Sequence, residues 1–279
     1  MNTREIESHV FEINKKNRAE YLTFPSFTKS GLVRHLFSTR AGGVSEGIYA
    51  SMNLGLNRGD QHENVIKNFE CIANILECTL NDFVFSDQTH LDHIRLVTKD
   101  DSGNGITRQK DFFDTDGMIT NEPGIVLTTF YADCVPLYFL DPVNKAIGLT
   151  HSGWRGTVKQ IGKKTVEAMQ SHFGTDPKNL IAGIGPSICE TCYEVGSEVA
   201  MEFKKLFPYD FQEILRKNDA GNYQLNLWEA NRKILLDSGI LEENISTTDL
   251  CTCCNPDYLF SHRATDGKRG NLGAFLGLL

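Results

Sequence analysis

Apolar residues fall into short runs separated by glycine-, asparagine- and aspartate-containing turns, and the spacing inside each run predicts its element. Residues 34–39 (RHLFST) read as a strand running into a loop, RAGGVSEGIYASMNLG, where Gly42, Gly43, Gly47 and Gly55 permit unusual backbone angles. Between 63 and 76 the apolar positions are Val65, Ile66, Phe69, Ile72, Ala73 and Leu76, which is helical spacing. Two short β-like runs follow, FVFS and HIRLVT, with DQTHLD between them. Residues 116–139 read as a strand, a turn at Pro123 and Gly124, and a second apolar strand carrying Cys134. Residues 146–150 form another strand, which delivers His151 into SGWRG. Residues 157–172 read as one helix, with Val158, Ile161, Thr165, Ala168 and Met169 on one face. IAGIGP is a short strand ending in a glycine turn, 196–206 and 227–238 are helices, and YLFSH and LGAFLGL form a final strand pair. Strands and helices mix without strict βαβ alternation, which favours an α+β fold over a doubly wound sheet.

Residues 1–30 are a polar lead-in to which the pattern assigns neither order nor disorder. The remainder, 31–279, reads as a single domain, because no repeat, low-complexity tract or linker interrupts it. A 40% hydrophobic fraction supports a sizeable core. The formal net charge of -8 argues against general affinity for nucleic acid. It does not exclude small anions, because a local pair of arginines recognises a phosphate. The N-terminus carries scattered charges and no signal-like apolar stretch, and the longest apolar region, GIVLTTFYADCVPLYFL, is interrupted by Asp133. The expectation is a cytoplasmic protein without membrane attachment, whose eight cysteines are thiols or metal ligands rather than disulfides. Without heptads or a long amphipathic helix, a monomer is expected.

His90, Cys134 and His151 each end an apolar, strand-like run beside a turn, a position at the rim of a sheet. Two imidazoles and a thiolate suit zinc, and three protein ligands leave the fourth tetrahedral position open, as catalytic zinc requires. Zinc in such sites lowers the pKa of bound water to about 7. The long spacing leaves convergence open, and ordinary structural roles for all three remain an alternative. His93, three residues from His90, falls on the opposite face if the segment is extended. His9, His35, His62 and His172 have no nearby partners, and His262 either lines a pocket mouth or is solvated. Cys189-x-x-Cys192 and Cys251-x-Cys253-Cys254 resemble the two knuckles of a structural zinc site, although the second spacing is irregular and small buried thiols also serve packing. Arg40 in STRAGG and Arg155 in HSGWRG stand where they would cradle an anion, and Asn53 in NLGLNRGD is grouped with them as a substrate contact. Asp133, beside Cys134, is positioned to orient a ligand histidine or act as a general base, or else is a capped loop carboxylate.

STRAGGVS, NLGLNRGD, DQTH, DGMITN, ADCVPL, HSGWRG, GPSICETCYEVG and LWEANRKIL follow one another in the order of the YfiH/laccase-domain family. The chain resembles that family from about Arg34 to its C-terminus. The family's Q-x-H histidine falls on His90, its A-D-C-x-P cysteine on Cys134, and the histidine opening H-x-G-W-R-G on His151. The resemblance implies a zinc-binding triad of these three in a layered α/β sandwich, with mixed sheets flanked by helices. That fold is distantly similar to the catalytic domain of a bacterial deamidating toxin. It further implies purine nucleosides and phosphate as partners: phosphorolysis of adenosine, inosine and methylthioadenosine, and deamination of adenosine. In that reading Arg40 and Arg155 hold the phosphate that attacks the ribose carbon, and Asp133 or another nearby acid moves the proton in deamination.

Two departures stand out: Asn271 replaces an expected arginine in the closing motif, with Arg269 two residues before it, and the first 30 residues match nothing. The family's older label is multicopper polyphenol oxidase. Eight scattered histidines without an HxH pair cannot build a laccase's several copper sites, although copper is an alternative occupant of the triad. Two other functions fit the residues. One is a metal-free Cys134/His151 hydrolase or amidase, for which the resemblance to bacterial members of the family implies peptidoglycan precursors as the material edited. The other is a non-catalytic nucleotide-binding regulator.

Overall fold

The computed structural model describes residues 6–279. In chain order it contains β1 (Glu12–Lys16), β2 (Ala19–Thr23), α1 (Pro25–Ser30), β3 (Val33–Ser38), α2 (His62–Leu76), β4 (Phe83–Phe85), β5 (Ile94–Leu96), β6 (Gly117–Thr120), β7 (Val126–Tyr131), β8 (Val135–Asp141) and β9 (Ala146–Ser152). There follow α3 (Trp154–Val158), α4 (Ile161–Phe173), β10 (Ile181–Ile184), β11 (Glu194–Val195), α5 (Ser197–Leu206), α6 (Phe211–Ile214), β12 (Leu215–Lys217), β13 (Tyr223–Leu225), α7 (Leu227–Asp237), β14 (Ile245–Thr247) and β15 (Leu272–Leu278). Two six-stranded mixed sheets carry the fold, in the orders β1-β2-β3-β15-β7-β4 and β14-β10-β8-β9-β6-β5. A small antiparallel sheet, β11-β13-β12, stands apart from them.

Three apolar clusters separate four layers. Leu127, Leu272, Ala274 and Leu276 of the first sheet meet Met118, Tyr138, Leu140, Ile147 and Leu149 of the second. The outer face of the first sheet (Leu36, Phe83, Phe85, Phe275) packs on α2 through Val65, Phe69, Ile72 and Leu76. The outer face of the second (Val135, Leu137, Phe139) packs on α4, α5 and α7 through Val166, Phe203 and Ile234. Alternate residues of β8 therefore enter different clusters. Both faces are buried, which is why 126–140 is apolar nearly without a break. The architecture is the layered α/β sandwich expected, with mixed sheets flanked by helices.

Several expected elements differ. The apolar stretch around Cys134 is two strands in different sheets: β7 belongs to the first and β8 to the second, and the chain crosses between them at 132–134. The expected helix over 157–172 is broken into α3 and α4 at Gln160, whose φ is 57°. YLFSH is not a strand. Turn hydrogen bonds close it, with Tyr258 and Leu259 N–H donating to the Asn255 carbonyl, and β15 pairs with β3 and β7 instead. Of the polar lead-in, residues 12–30 supply β1, β2 and α1, joined to the first sheet through β2 and β3. No helix among the described residues is long and apolar enough to cross a membrane.

His35, left without a role by the sequence, is buried in this region among Phe24, Phe27 and Tyr138, and its Nε2 accepts the Phe24 N–H at 2.9 Å. Burial holds it neutral, lowering its pKa from 6.5 to about 4. The unfolded chain therefore binds a proton that the folded chain refuses. Stability is unaffected above pH 6.5 and falls as pH drops from there to 4. At about 1.4 kcal/mol per pH unit, the loss from this residue is about 3 kcal/mol. Urea titrations from pH 7 to 4 should show His35→Gln losing correspondingly less than the unmodified protein. Parallel curves would refute the assignment.

Candidate active site

The crossing between sheets places Cys134. Asp133, at φ 94°, turns the chain out of β7, and its carboxylate is held from two sides. Thr252 Oγ1 donates to Oδ1 at 2.6 Å and Arg263 N–H to Oδ2 at 2.7 Å. The Ile188 N–H donates to its carbonyl at 3.0 Å. His151 is the next-to-last residue of β9, opposite Pro136 in β8, and is buried. His90 lies in a turn after β4 with a left-handed φ of 63°, so 90–93 is not extended as the His93 argument assumed. His93 is nonetheless exposed and does not line the cleft.

One residue that the sequence reading passed over connects the two histidines. Asp116 immediately precedes β6, which pairs with β9, and so stands beside His151. Its Oδ1 lies 2.7 Å from His151 Nδ1. The same carboxylate accepts the N–H groups of Thr89, His90 and Leu91 at 3.0, 3.1 and 2.8 Å, holding the turn that carries His90. The signal available in the sequence was an aspartate at the mouth of a strand, in DGMITN, where a ligand histidine needs a carboxylate behind it.

With Nδ1 of His151 tied to Asp116, Nε2 is left for the site. Cys134 Sγ is 3.9 Å from His90 Nε2, and one ligand atom from each of His90, Cys134 and His151 lies within 4.8 Å of the other two. The space among them is kept open by Gly153. A Cβ there would stand 3.0 Å from His90 Cδ2, 3.2 Å from Cys134 Sγ and 3.7 Å from His151 Cε1. Burial pushes the Cys134 thiol up, but the two histidines outweigh it and bring its pKa down to about 6. Burial pushes His151 down, and the neighbouring Cys134 and Asp116 outweigh that, raising it to about 9. A thiolate between imidazoles is the charge pattern that a soft divalent cation neutralises.

The triad opens into a cleft of about 930 Å³. Its lining is cationic, with Arg58, Arg108, Lys110, Arg155, Arg263 and Arg269, although the chain as a whole is negative. Lys110 is paired with Asp87 at 2.6 Å and Arg108 with Asp111 at 3.1 Å. Arg263 donates to the carbonyls of Cys192 and Glu194. Arg155 stacks on Trp154 at 4.3 Å, and among the described residues neither it nor Arg58 has an acidic partner. Arg269 is buried, donates to Asn271 Oδ1, and leaves its Nε without a partner. Burial and the proximity of Arg58 push its pKa down to about 10.

Three expected ligand contacts are placed differently. Arg40 does not line the cleft: its guanidinium donates to the carbonyls of Ala50 and Pro256 and lies over Phe260, bracing the glycine-rich loop. Asn53 is fully buried behind the wall, where Oδ1 accepts the N–H groups of Gly55 and Asn271 and Nδ2 donates to Asp60. Asp133 lines the cleft, but both of its carboxylate oxygens are occupied by the donors that fix the crossing. His262 also lines the cleft, and Asn271 holds Arg269, the cation nearest the departure in the closing motif.

Residues 34–279 match the family described as multi-copper polyphenol oxidoreductase laccase. The purine nucleoside phosphorylase YlmD of Bacillus subtilis is 41% identical over 243 residues, 87% of this chain and 87% of that one. The crystal structure of the Bacillus licheniformis hypothetical protein YfiH superposes with a TM-score of 0.91 at 35% identity, covering 97% of this chain and 100% of that one. YlmD from Geobacillus stearothermophilus superposes with a TM-score of 0.88 at 34% identity, covering 96% and 98%. The chain belongs to the multi-copper polyphenol oxidoreductase laccase family, the YfiH/laccase-domain family that its motifs resemble.

Proposed function

We propose that this protein is a zinc-dependent purine nucleoside phosphorylase acting on adenosine, inosine and methylthioadenosine, and that it also deaminates adenosine. The observation that carries the reading is the convergence of His90, Cys134 and His151 in a cleft also lined by Arg155 and Arg58, which have no acidic partner among the described residues, and by Arg269, whose Nε has no partner. The donor set and the gap maintained by Gly153 suit zinc at the triad, with copper an alternative occupant of the same donors. Zinc, when bound, supplies a Lewis acid with an open coordination position.

The protein's own groups do the rest. Phe130, Ile188 and Tyr193 offer the purine an apolar wall. Arg155 and Arg58 receive phosphate from the solvent side, and the buried Arg269 gains the anion that its unpartnered Nε lacks. Phosphate so held faces the ribose carbon as the glycosidic bond loosens, and its charge offsets the positive charge developing on the sugar. Incubation with each nucleoside and phosphate, read by chromatography, should release free base and ribose phosphate, and inosine from adenosine. No phosphate-dependent base release from metal-loaded protein would rule the reading out.

Arg155→Ala isolates the phosphate contribution, since that side chain stacks on Trp154 and holds no structural hydrogen bond among the described residues. Loss of a charge-assisted hydrogen bond costs about 1.5–3 kcal/mol, so KM for phosphate should rise about 10- to 100-fold. KM for the nucleoside should change little. An unchanged phosphate KM would remove Arg155 from the site.

One observation favours a second reading. Cys134 with its lowered pKa, His151 beside it and Asp116 behind His151 are also the parts of a Cys-His-Asp nucleophile. That reading predicts an amidase whose activity survives chelation and is lost to thiol alkylation. The phosphorylase reading predicts that chelation alone stops turnover.

A further inference from the structure

A second thiol cluster lies outside the triad. Cys189 and Cys192 follow β10, Cys251 and Cys254 follow β14, and the four sulfurs all lie within 4.8 Å of one another. Cys254 Sγ is 3.8 Å from Cys189 Sγ and 3.4 Å from Cys192 Sγ. Tetrahedral zinc with Zn–S bonds of about 2.3 Å requires sulfurs about 3.8 Å apart. Cys253 stays outside the quartet, which turns an apparently irregular CTCC into a second Cys-x-x-Cys. The N–H groups of Cys189 and Cys254 donate to Cys251 Sγ at 3.2 and 3.3 Å, the backbone support that a metal-bound thiolate takes.

Packing does not account for the arrangement. Only Cys251 is buried, Cys189 and Cys192 are half-buried, and Cys254 is exposed. Thiols serving as small hydrophobes belong in the core, not converging at a surface. A disulfide needs sulfurs at about 2.05 Å and joins each sulfur to one partner, whereas Cys254 Sγ stands near both Cys189 and Cys192 Sγ.

We propose that Cys189, Cys192, Cys251 and Cys254 bind a structural zinc ion, separate from the triad. Four thiolates close the coordination shell, so this ion does no chemistry on substrate. It clamps the segment after β10 to the segment after β14, and both segments hold Asp133: Ile188 N–H donates to its carbonyl and Thr252 Oγ1 to its carboxylate. The clamp thereby fixes the crossing that presents Cys134, together with the cleft wall bearing Ile188 and Tyr193. The site stands whether or not the chain phosphorolyses nucleosides.

The test uses Cys134→Ser, which disables the triad and leaves the quartet whole. Purified anaerobically without added metal, this variant should hold about one zinc per chain. Replacing that zinc with cobalt should give the intense charge-transfer absorption of a tetrathiolate site. Adding Cys254→Ser should remove both the metal and the absorption. Should that double variant fail to fold, titrating the Cys134→Ser protein with a mercurial reagent should release its zinc as the quartet thiols are consumed. A zinc-free Cys134→Ser protein, iron in place of zinc, or a disulfide between any two of the four cysteines overturns the assignment. Failure of the phosphorylase assay leaves the zinc count of this variant unaffected, so the two readings fail separately.

Discussion

Cys134→Ser should lower kcat/KM for nucleoside and phosphate by about a thousandfold or more, the effect of losing several kcal/mol of Lewis-acid stabilisation at about 1.4 kcal/mol per tenfold. The chemistry of the substitution is simple. At neutral pH the thiol, held near pKa 6 by the two histidines, is ionised, whereas a serine hydroxyl in its place stays protonated. The variant loses the only soft donor of the triad and the negative charge that lies between His90 and His151. Zinc bound by the two imidazoles alone should be given up to dialysis. Metal analysis should therefore find about one zinc per chain fewer than in the unmodified protein, the quartet keeping its own. Cys71→Ser, on α2 and remote from the cleft, is the control and should leave turnover unchanged. Near-normal turnover in Cys134→Ser would end both the zinc and the nucleophile readings at once.

His90, Cys134 and His151 stood out as candidates because their residue types suit zinc and the surrounding motifs are distinctive. Their convergence was not legible, since it depends on where the chain changes sheets. A largely apolar run from 126 to 140 conceals a crossing at 132–134 because both strands are buried on both faces, and the single charge at Asp133 does not say which sheet each half joins. The helix break at Gln160 is hidden for a similar reason, since one left-handed residue does not disturb the apolar spacing on either side.

The arginines show a different limit. Arg40 and Arg155 look alike as loop cations, and only the carbonyls of Ala50 and Pro256, brought in by the fold, separate a brace from a cleft residue. Arg269 was visible merely as a neighbour of the departure at Asn271. Its burial, which gives it a claim on an anion, comes from the tail packing back on the first sheet. The second Cys-x-x-Cys was obscured by Cys253, since spacing cannot say which of two adjacent thiols faces the other three.

Asp116→Asn should separate the metal from the nucleophile reading. The substitution conserves shape and removes the charge. Asparagine offers one acceptor oxygen and one NH2 group where the carboxylate offered two acceptors, so the N–H groups of Thr89, His90 and Leu91 and the His151 ring cannot all be satisfied. A donor facing His151 Nδ1 would favour the tautomer with its proton on Nε2, the nitrogen that faces Cys134 and the triad, and a protonated nitrogen does not ligate. Loss of such a carboxylate behind a ligand histidine lowers metal affinity or activity about 10- to 100-fold. The unsatisfied buried donors add a destabilisation of about 1–3 kcal/mol, visible as a lower Tm. A merely structural role for Asp116 would move Tm and leave zinc affinity intact in the folded fraction. If Asp116 instead orients a metal-free Cys-His pair, turnover falls with no change in zinc content or chelator sensitivity. The zinc reading requires that affinity and turnover fall together and that excess zinc restore much of the lost rate. Failure of excess zinc to restore activity to a folded variant would favour the nucleophile.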